Sequence, residues 1–542
     1  MPKSGNSARV EDDERTDEQA QPFPEGRARW VLAAALLAVF VGSLDLTVIT
    51  TLLPKMISDL QINTADINRY VWVVSGYLLA YMVTIPVLGR VSDILGRRPV
   101  FAGALAIFLV GSILSARAGG LAALVTGRAI QGFGGGALVP VTMALVGDIL
   151  PPRRRAAVIG LVGAVDTMGW VLGPLYGAAL LGLTGSWRTV FWINVPIAVL
   201  TVLVLLFTWR GVQQQRVRER LDLAGALLLS ASLICLNLAL SSGSEAGSGV
   251  GQLGGSANPL AAYRWPLLGG ALVAMIAFVV WERRAKSPLI PLSLFRLPIF
   301  SAATIANLLV GASLIVVMVD VPLFASLVED DPKRASLVGA ALLTPFTLLM
   351  AVGSVIGGVL TGRFHARPVA VVGVVLAAIG LALMRLWPDS IQVVPMSATL
   401  LLAGFGFGIV IAPVASVAIN VVRRAHYGVA SGLVVVTRLI GMTVGLSVLS
   451  GWGVGRLSAL LQNNAPARMP GEADIDFQTR TFAYIGEQTV HYSLVVLRET
   501  FVVAAIVCAV AVLPALLFAH HRADRRGALH DNPAAVAGHF DD

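Results

Sequence analysis

The sequence predicts an all-α polytopic membrane protein, built as two six-helix bundles related by a pseudo-two-fold axis along the membrane normal, with two more helices linking them. Three observations predict it. Of 542 residues, 56% are hydrophobic and 13% charged, more apolar surface than a soluble chain of this size can bury. The apolar residues fall into fourteen runs of spanning length, near 30–53, 70–88, 100–117, 121–149, 156–181, 189–209, 222–241, 265–282, 299–326, 336–361, 368–387, 396–421, 428–452 and 495–519. The short loops after every second run are rich in arginine, which orients a membrane chain with those loops in the cytoplasm.

An even number of crossings puts both termini on the cytoplasmic side. The basic loop 89–99, Arg153 to Arg155, Arg216 to Arg220 and Arg283 to Lys286 all agree. The net charge of +9 is therefore topological and does not point to nucleic acid. The acidic stretch 1–28 has no apolar core, so it reads as a disordered cytoplasmic tail and not as a signal peptide. The two cysteines, Cys235 and Cys508, lie in apolar runs and give no disulfide framework or metal pattern. No lysine sits in a phosphate-loop pattern, and no nucleophile motif is present, so an enzyme is not expected.

The bundles follow from an internal repeat. Gly160, Asp166, Gly169 and Gly173 in the fifth segment are matched, 272 residues on, by Gly432, Arg438, Gly441 and Gly445 in the thirteenth. The stretch 358–368 is a degenerate copy of 89–99, with Gly362 where Asp93 stands. Two halves of the same topology result. The expected division is a tail 1–28, a first bundle 29–210, a linker 211–285 with segments seven and eight, a second bundle 286–520, and a cytoplasmic tail 521–542. The loop 242–258 is rich in glycine and serine and reads as flexible.

The loop 89–99 carries Gly89, Asp93, Gly96, Arg97 and Arg98 in the pattern Gly-x-x-x-Asp-x-x-Gly-Arg-Arg. Glycines permit a tight turn, and the aspartate can cap a helix or pair with an arginine. The pattern resembles the signature loop of the major facilitator superfamily of transporters. Further stretches resemble its fourteen-helix drug:proton antiporter branch: Leu44 to Val48 with Pro54, Arg128-x-x-Gln131-Gly132-x-Gly134, Trp187 to Pro196, and the antiporter motif Gly169-x-x-x-Gly173-Pro174-x-x-Gly177. A nearer resemblance is to the mycobacterial triacylglycerol exporters that work with a periplasmic lipoprotein. It rests on Gly173 to Gly177, the acid Asp166, Val319-Asp320-Val321, Arg438 and a long hairpin before the last segment. The resemblance implies a proton-coupled exporter of lipid or hydrophobic drug in the bacterial inner membrane. It would need no cofactor beyond the proton gradient and no metal, and would use membrane lipids and possible lipoprotein help. A conventional antiporter for organic cations stays open beside it, as does a remote enzyme or receptor reading.

Charges inside the membrane are expensive and are functional candidates. Helical rise puts Asp45 about 22 Å from the cytoplasmic end of its segment and Arg128 about 10 Å below the outer face of a ~30 Å core, which is one level. A carboxylate beside an arginine releases its proton, and takes it back when the two separate. The resemblance gives Asp45 the proton and Arg128 its control; a static ion pair is the plainer reading. Asp166 and Arg438 each lie about 15 Å from the cytoplasmic ends of repeat-related segments, with opposite charge. They read as an inter-bundle gate or as two separate cavity charges. Asp320, near the outer face, reads as a second proton site or a boundary residue. The glycines at 132 and 134–136 read as helix packing or cavity wall, and Pro174 as a flexible point or a fixed kink. Segment thirteen has no breaker before Asn463, and segment fourteen can begin near Phe477. A hairpin 453–494 then projects roughly 20 Å beyond the membrane, as a chute for hydrophobic cargo or as a structured loop.

Overall fold

A computed structural model describes residues 25–60, 67–208, 220–244, 261–329, 331–466, 469–470 and 474–518. The expectations for 1–24, for most of the loop 242–258, for Arg216 and Arg218, and for the C-terminal tail lie outside the described residues. Among the described residues every regular element is helical. Fourteen helical crossings are long and apolar enough to span a membrane.

They run α1 Glu25–Asp59, α2 Ile67–Leu95, α3 Arg97–Ala116, α4a Leu121–Gly135 with α4b Leu138–Ile149, α5 Pro152–Thr184, α6 Arg188–Thr208, α7 Leu223–Ser244, α8 Arg264–Glu282, α9 Pro298–Val328, α10 Pro332–Phe364, α11 Ala366–Leu383, α12 Val393–Asn420, α13 Tyr427–Asn463 and α14 Asp474–Val510. The fourth crossing differs from the unbroken segment expected. It breaks at Gly136 and Ala137, where Pro140 has no N–H to bond the Gly136 carbonyl four residues back.

Helices α1–α6 form one bundle and α9–α14 the other. Across the joint, α2 packs on α13 as α10 packs on α5, the exchange that a two-fold axis requires. The linking helix α7 touches α2 of one bundle and α13 of the other, and α8 packs on α7. The joint closes at the face carrying the turn at Gly96 between α2 and α3, the basic face. There Gly89 and Gly428 lie backbone to backbone, and a Cβ on Gly89 would stand 2.5 Å from the Gly428 carbonyl oxygen. On the symmetry-related side a Cβ on Gly358 would meet the Ala156 carbonyl at 2.5 Å. Serine hydroxyls tie the same places, Ser431 to the Pro140 carbonyl and Ser354 to the Gly160 carbonyl, both at 2.8 Å.

At the opposite face α13 runs 37 residues without a break, about 55 Å of helix. Helix α14 begins at Asp474, three residues before the expected start, and its first turn carries Asp474 and Asp476, where the helix dipole favours negative charge. Arg456 grips Glu499 with two hydrogen bonds, 2.9 and 3.2 Å, and Arg498 pairs with Asp389 in the loop after α11. The base of the hairpin is thus tied to the second bundle.

Helix α1 lies along α5 on a glycine stripe. A Cβ on Gly173 would stand 2.7 Å from the Leu44 carbonyl oxygen and 3.1 Å from the Val48 nitrogen. Gly173→Val should therefore destabilise the protein by about 1–3 kcal/mol, the usual cost of overpacking. The check is the melting temperature in detergent; an unchanged value would mean that α1 and α5 do not meet there.

Candidate functional site

Among the described residues, three sets of charged residues lie deep inside the helical crossings, away from the basic face. The first is sealed. Asp45 on α1 and Arg128 on α4a pair directly, and both side chains have zero exposure. Asn194 on α6 donates to Asp45 Oδ1 at 2.9 Å. Arg128 also donates to Gln131 Oε1 at 2.9 Å and to the Asp45 carbonyl at 3.3 Å, and its guanidinium lies 4.1 Å over the Tyr77 ring. Ser112 closes the network, accepting from Gln131 at 3.3 Å and donating to the Phe191 carbonyl at 2.9 Å. Four helices thus supply polar groups around one pair, as a buried charge demands.

The second set crosses the joint. Arg438 on α13 reaches Asp166 on α5 at 3.2 Å, with side chains 13% and 7% exposed, so this pair keeps a thin contact with solvent where the first has none. Ser43 on α1 donates to the other oxygen of Asp166 at 2.5 Å. Sequence reasoning gave these two residues a shared depth; the structure gives them a shared bond.

Asp320 on α9 stands apart from both pairs. It is buried, and its Oδ2 has no hydrogen-bond partner.

The signature stretch is not the loop expected: Gly89 to Leu95 complete α2, Arg97 opens α3 and only Gly96 lies between them. From there it caps a helix of the other bundle. Asp93 accepts from the backbone N–H groups of Gly428 and Val429, at 2.9 and 3.0 Å, in the first turn of α13. A carboxylate there answers unpaired N–H groups and the positive end of the helix dipole together. Arg97 holds Asp93 at 2.5 Å and also bonds Asp148 and Ser92, at 3.0 and 2.7 Å. Gly96 makes the turn, with φ at 97°. Arg98 points elsewhere, to the Leu206 carbonyl. On the repeat-related side Gly358 keeps the place of Gly89, but Gly362 replaces the capping acid, and α5 starts without a side-chain cap.

The antiporter motif is a packing surface. Gly169, Gly173 and Gly177 face Ser43, Thr47 and Thr51 of α1. Thr47 donates to the Trp170 carbonyl at 2.9 Å and Thr51 to the Pro174 carbonyl at 3.3 Å. Trp170 is the residue whose carbonyl Pro174 leaves unbonded, so Thr47 satisfies the group that the proline frees. Gly132 and Gly134 of α4a likewise pack against backbone of Tyr77 and Phe108, and Gly136 at the break packs against backbone of Tyr81. His426, in the turn before α13, lies against Arg90, 3.5 Å from its guanidinium.

Sequence reasoning missed Ser43, Ser112 and Tyr77, and quoted Gln131 and Asn194 without a role. A neutral polar residue in an apolar run was the available signal.

Fold and site together define a multi-pass membrane protein with charges paired inside its crossings. The Major Facilitator Superfamily model matches residues 35–446, and the chain belongs to that family. A triacylglyceride transporter of Mycobacterium tuberculosis (strain H37Rv) is 35% identical over 504 residues, 90% of this chain and 94% of that one. A triacylglyceride transporter of Mycolicibacterium smegmatis is 36% identical over 506 residues, 91% and 88% of the two chains. Among solved structures, the human organic anion transporter MFSD10 superposes with a TM-score of 0.57 at 17% identity, over 89% of this chain and 99% of that one. The proton:xylose symporter XylE gives 0.53 at 14%, over 89% and 95%. These two share the fold.

Two outcomes follow from the geometry. Asp166→Asn and Arg438→Ala should each leave a partner charge unpaired at membrane depth, worth about 3–5 kcal/mol in the closed state. A double-mutant cycle on transport rate should then show strong coupling between them; additive losses would mean two independent charges. Asp93→Asn should loosen closure of the basic face, because a charge on a helix N-terminus contributes about 1 kcal/mol, or several-fold in the population ratio. Spin labels on Leu95→Cys and Phe364→Cys, two exposed sites on that face in opposite bundles, read it. An unchanged distance distribution would rule the cap out as a closure contact.

Proposed function

We propose that the chain is a proton-coupled secondary active exporter working by alternating access, with lipophilic cargo: lipids such as triacylglycerol, hydrophobic drugs, or both. The observation that carries this reading is the pairing of Asp45 with Arg128 at zero exposure, inside a crossing. A carboxylate so placed holds a proton or an arginine but not both, and each choice suits a different arrangement of the helices. Asp45 is the proton carrier and Arg128 its control. Asp166 and Arg438 are the gate between bundles, and the cap of Asp93 on α13 steadies the closed basic face. The antiporter-motif residues Gly169, Gly173, Pro174 and Gly177 hold α1 against α5 while the gate works.

The lipid cargo is supported by the names of the relatives and by the long hairpin, a surface for apolar cargo leaving the membrane. A periplasmic lipoprotein accepting that cargo belongs to the same proposal. So does placement in the bacterial inner membrane with both termini cytoplasmic, which makes the basic face the cytoplasmic one. One observation favours a second reading. Asp320 is a buried carboxylate without a partner for one oxygen, which suits either a second proton or an organic cation in a multidrug:proton antiporter.

The test is transport by the purified protein in liposomes under an imposed proton gradient, with a fluorescent triacylglycerol and with a cationic dye. Lipid should move with the gradient, and dye without lipid would favour the second reading. Asp45→Asn keeps volume and hydrogen bonding but cannot carry a proton, so proton-driven transport should vanish with insertion intact. Full proton-driven transport by Asp45→Asn would remove Asp45 from the carrier role.

A further inference from the structure

The two ion pairs share a helix. Asp45 and Ser43 both belong to α1, two residues apart; one holds Arg128 of α4a, the other donates to Asp166 at 2.5 Å. Ser43 is also the lowest rung of a ladder. Ser43 reaches Asp166, Thr47 reaches Trp170 and Thr51 reaches Pro174, each across 123 residues of sequence. That constant offset is what two parallel helices in fixed register give. Opposite each hydroxyl residue stands a glycine of α5, Gly169, Gly173 and Gly177, and the close approach they permit brings the hydroxyls within bonding distance. The upper two rungs end on backbone carbonyls, which α5 presents whatever its charge state. The lowest ends on a carboxylate that also holds the other bundle through Arg438 at 3.2 Å.

We propose that the Ser43 hydroxyl is the positioning contact through which the state of the Asp45–Arg128 pair reaches the Asp166–Arg438 gate. The inference rests on the proton-coupled reading above. When Asp45 leaves Arg128, α1 shifts or turns. The rungs at Thr47 and Thr51 keep it on α5, so the displacement falls on Ser43. Asp166 then exchanges a hydroxyl donor on one oxygen while Arg438 pulls on the other. Arg128 is the charged group facing Asp45, and Arg438 the one facing Asp166; Asn194 and Ser43 are the neutral donors to the two acids. Ser43 is a positioning residue and carries no proton of the transport cycle.

The test uses the full chain in nanodiscs with the Leu95→Cys and Phe364→Cys spin-label pair and with Cys235 and Cys508 changed to serine. Asp45→Asn should change the open-to-closed ratio of the basic face by about tenfold, the scale of one hydrogen bond to a charged group. With Ser43→Ala the same Asp45→Asn change should fall below about threefold, because the rung that transmits it is gone. Ser43→Thr should restore the response, since threonine already fills the equivalent rungs at 47 and 51 opposite glycine. Rescue by threonine separates a working hydroxyl from general loosening of the helix contact. An undiminished response in Ser43→Ala overturns the proposal and leaves proton coupling standing, which the liposome assay reads separately. Proton flux at the wild-type rate in Asp45→Asn overturns the carrier reading, and this proposal with it.

Discussion

An arginine in the middle of a membrane helix persists only where the surrounding protein replaces the water it has lost. Arg128 meets that constraint with a carboxylate, an amide, a backbone carbonyl and an aromatic face, drawn from α1, α4a and α2. The packing of the first bundle is arranged around it: α1 must bring Asp45, α6 must bring Asn194, and α3 must bring Ser112 to finish the network. The same constraint, applied across the joint, makes Arg438 and Asp166 hold the bundles together. A buried pair of this kind contributes little net stability over an apolar replacement, but breaking it is costly. That asymmetry suits a contact whose purpose is to choose between arrangements.

Much of this was legible in the residues. Fourteen apolar runs gave fourteen crossings, and the repeat gave two bundles, because hydropathy and periodicity are properties of single segments. The charges were legible too, since an ionic residue in an apolar run is conspicuous. What could not be read was contact. The depth of Asp166 and Arg438 follows from helical rise, but their meeting depends on how α5 and α13 cross, which no local pattern encodes. The break at Gly136 was missed because a run of small and apolar residues looks continuous by hydropathy, although Pro140 marked it. Ser43 was missed because serine is common in membrane helices and carries no charge to draw notice.

The two sides of the joint are built from one repeat and finished differently. Where Gly89 meets Gly428, the approach is reinforced by Asp93, Arg97 and the first turn of α13. Where Gly358 meets α5, the glycine is kept, and the acid has become Gly362. Contact on that side comes from the Ser354 hydroxyl and from Arg155 at the start of α5, which donates to Asn420 and Tyr427 of the second bundle. Each side keeps a buried arginine, but only the first pairs it with an acid that caps the opposing helix.

The hairpin has a mechanical consequence. Its base is clamped by Arg456 to Glu499 and by Arg498 to Asp389, all within the second bundle. Under the alternating access proposed above, the hairpin would turn with that bundle as an arm whose fulcrum is the glycine joint at the far face. Small angular motions at the fulcrum become large sweeps at the tip, in proportion to the length of α13. On that reading, a molecule gripping the tip would hold the long end of the arm, where a modest force would suffice to stall the proposed cycle.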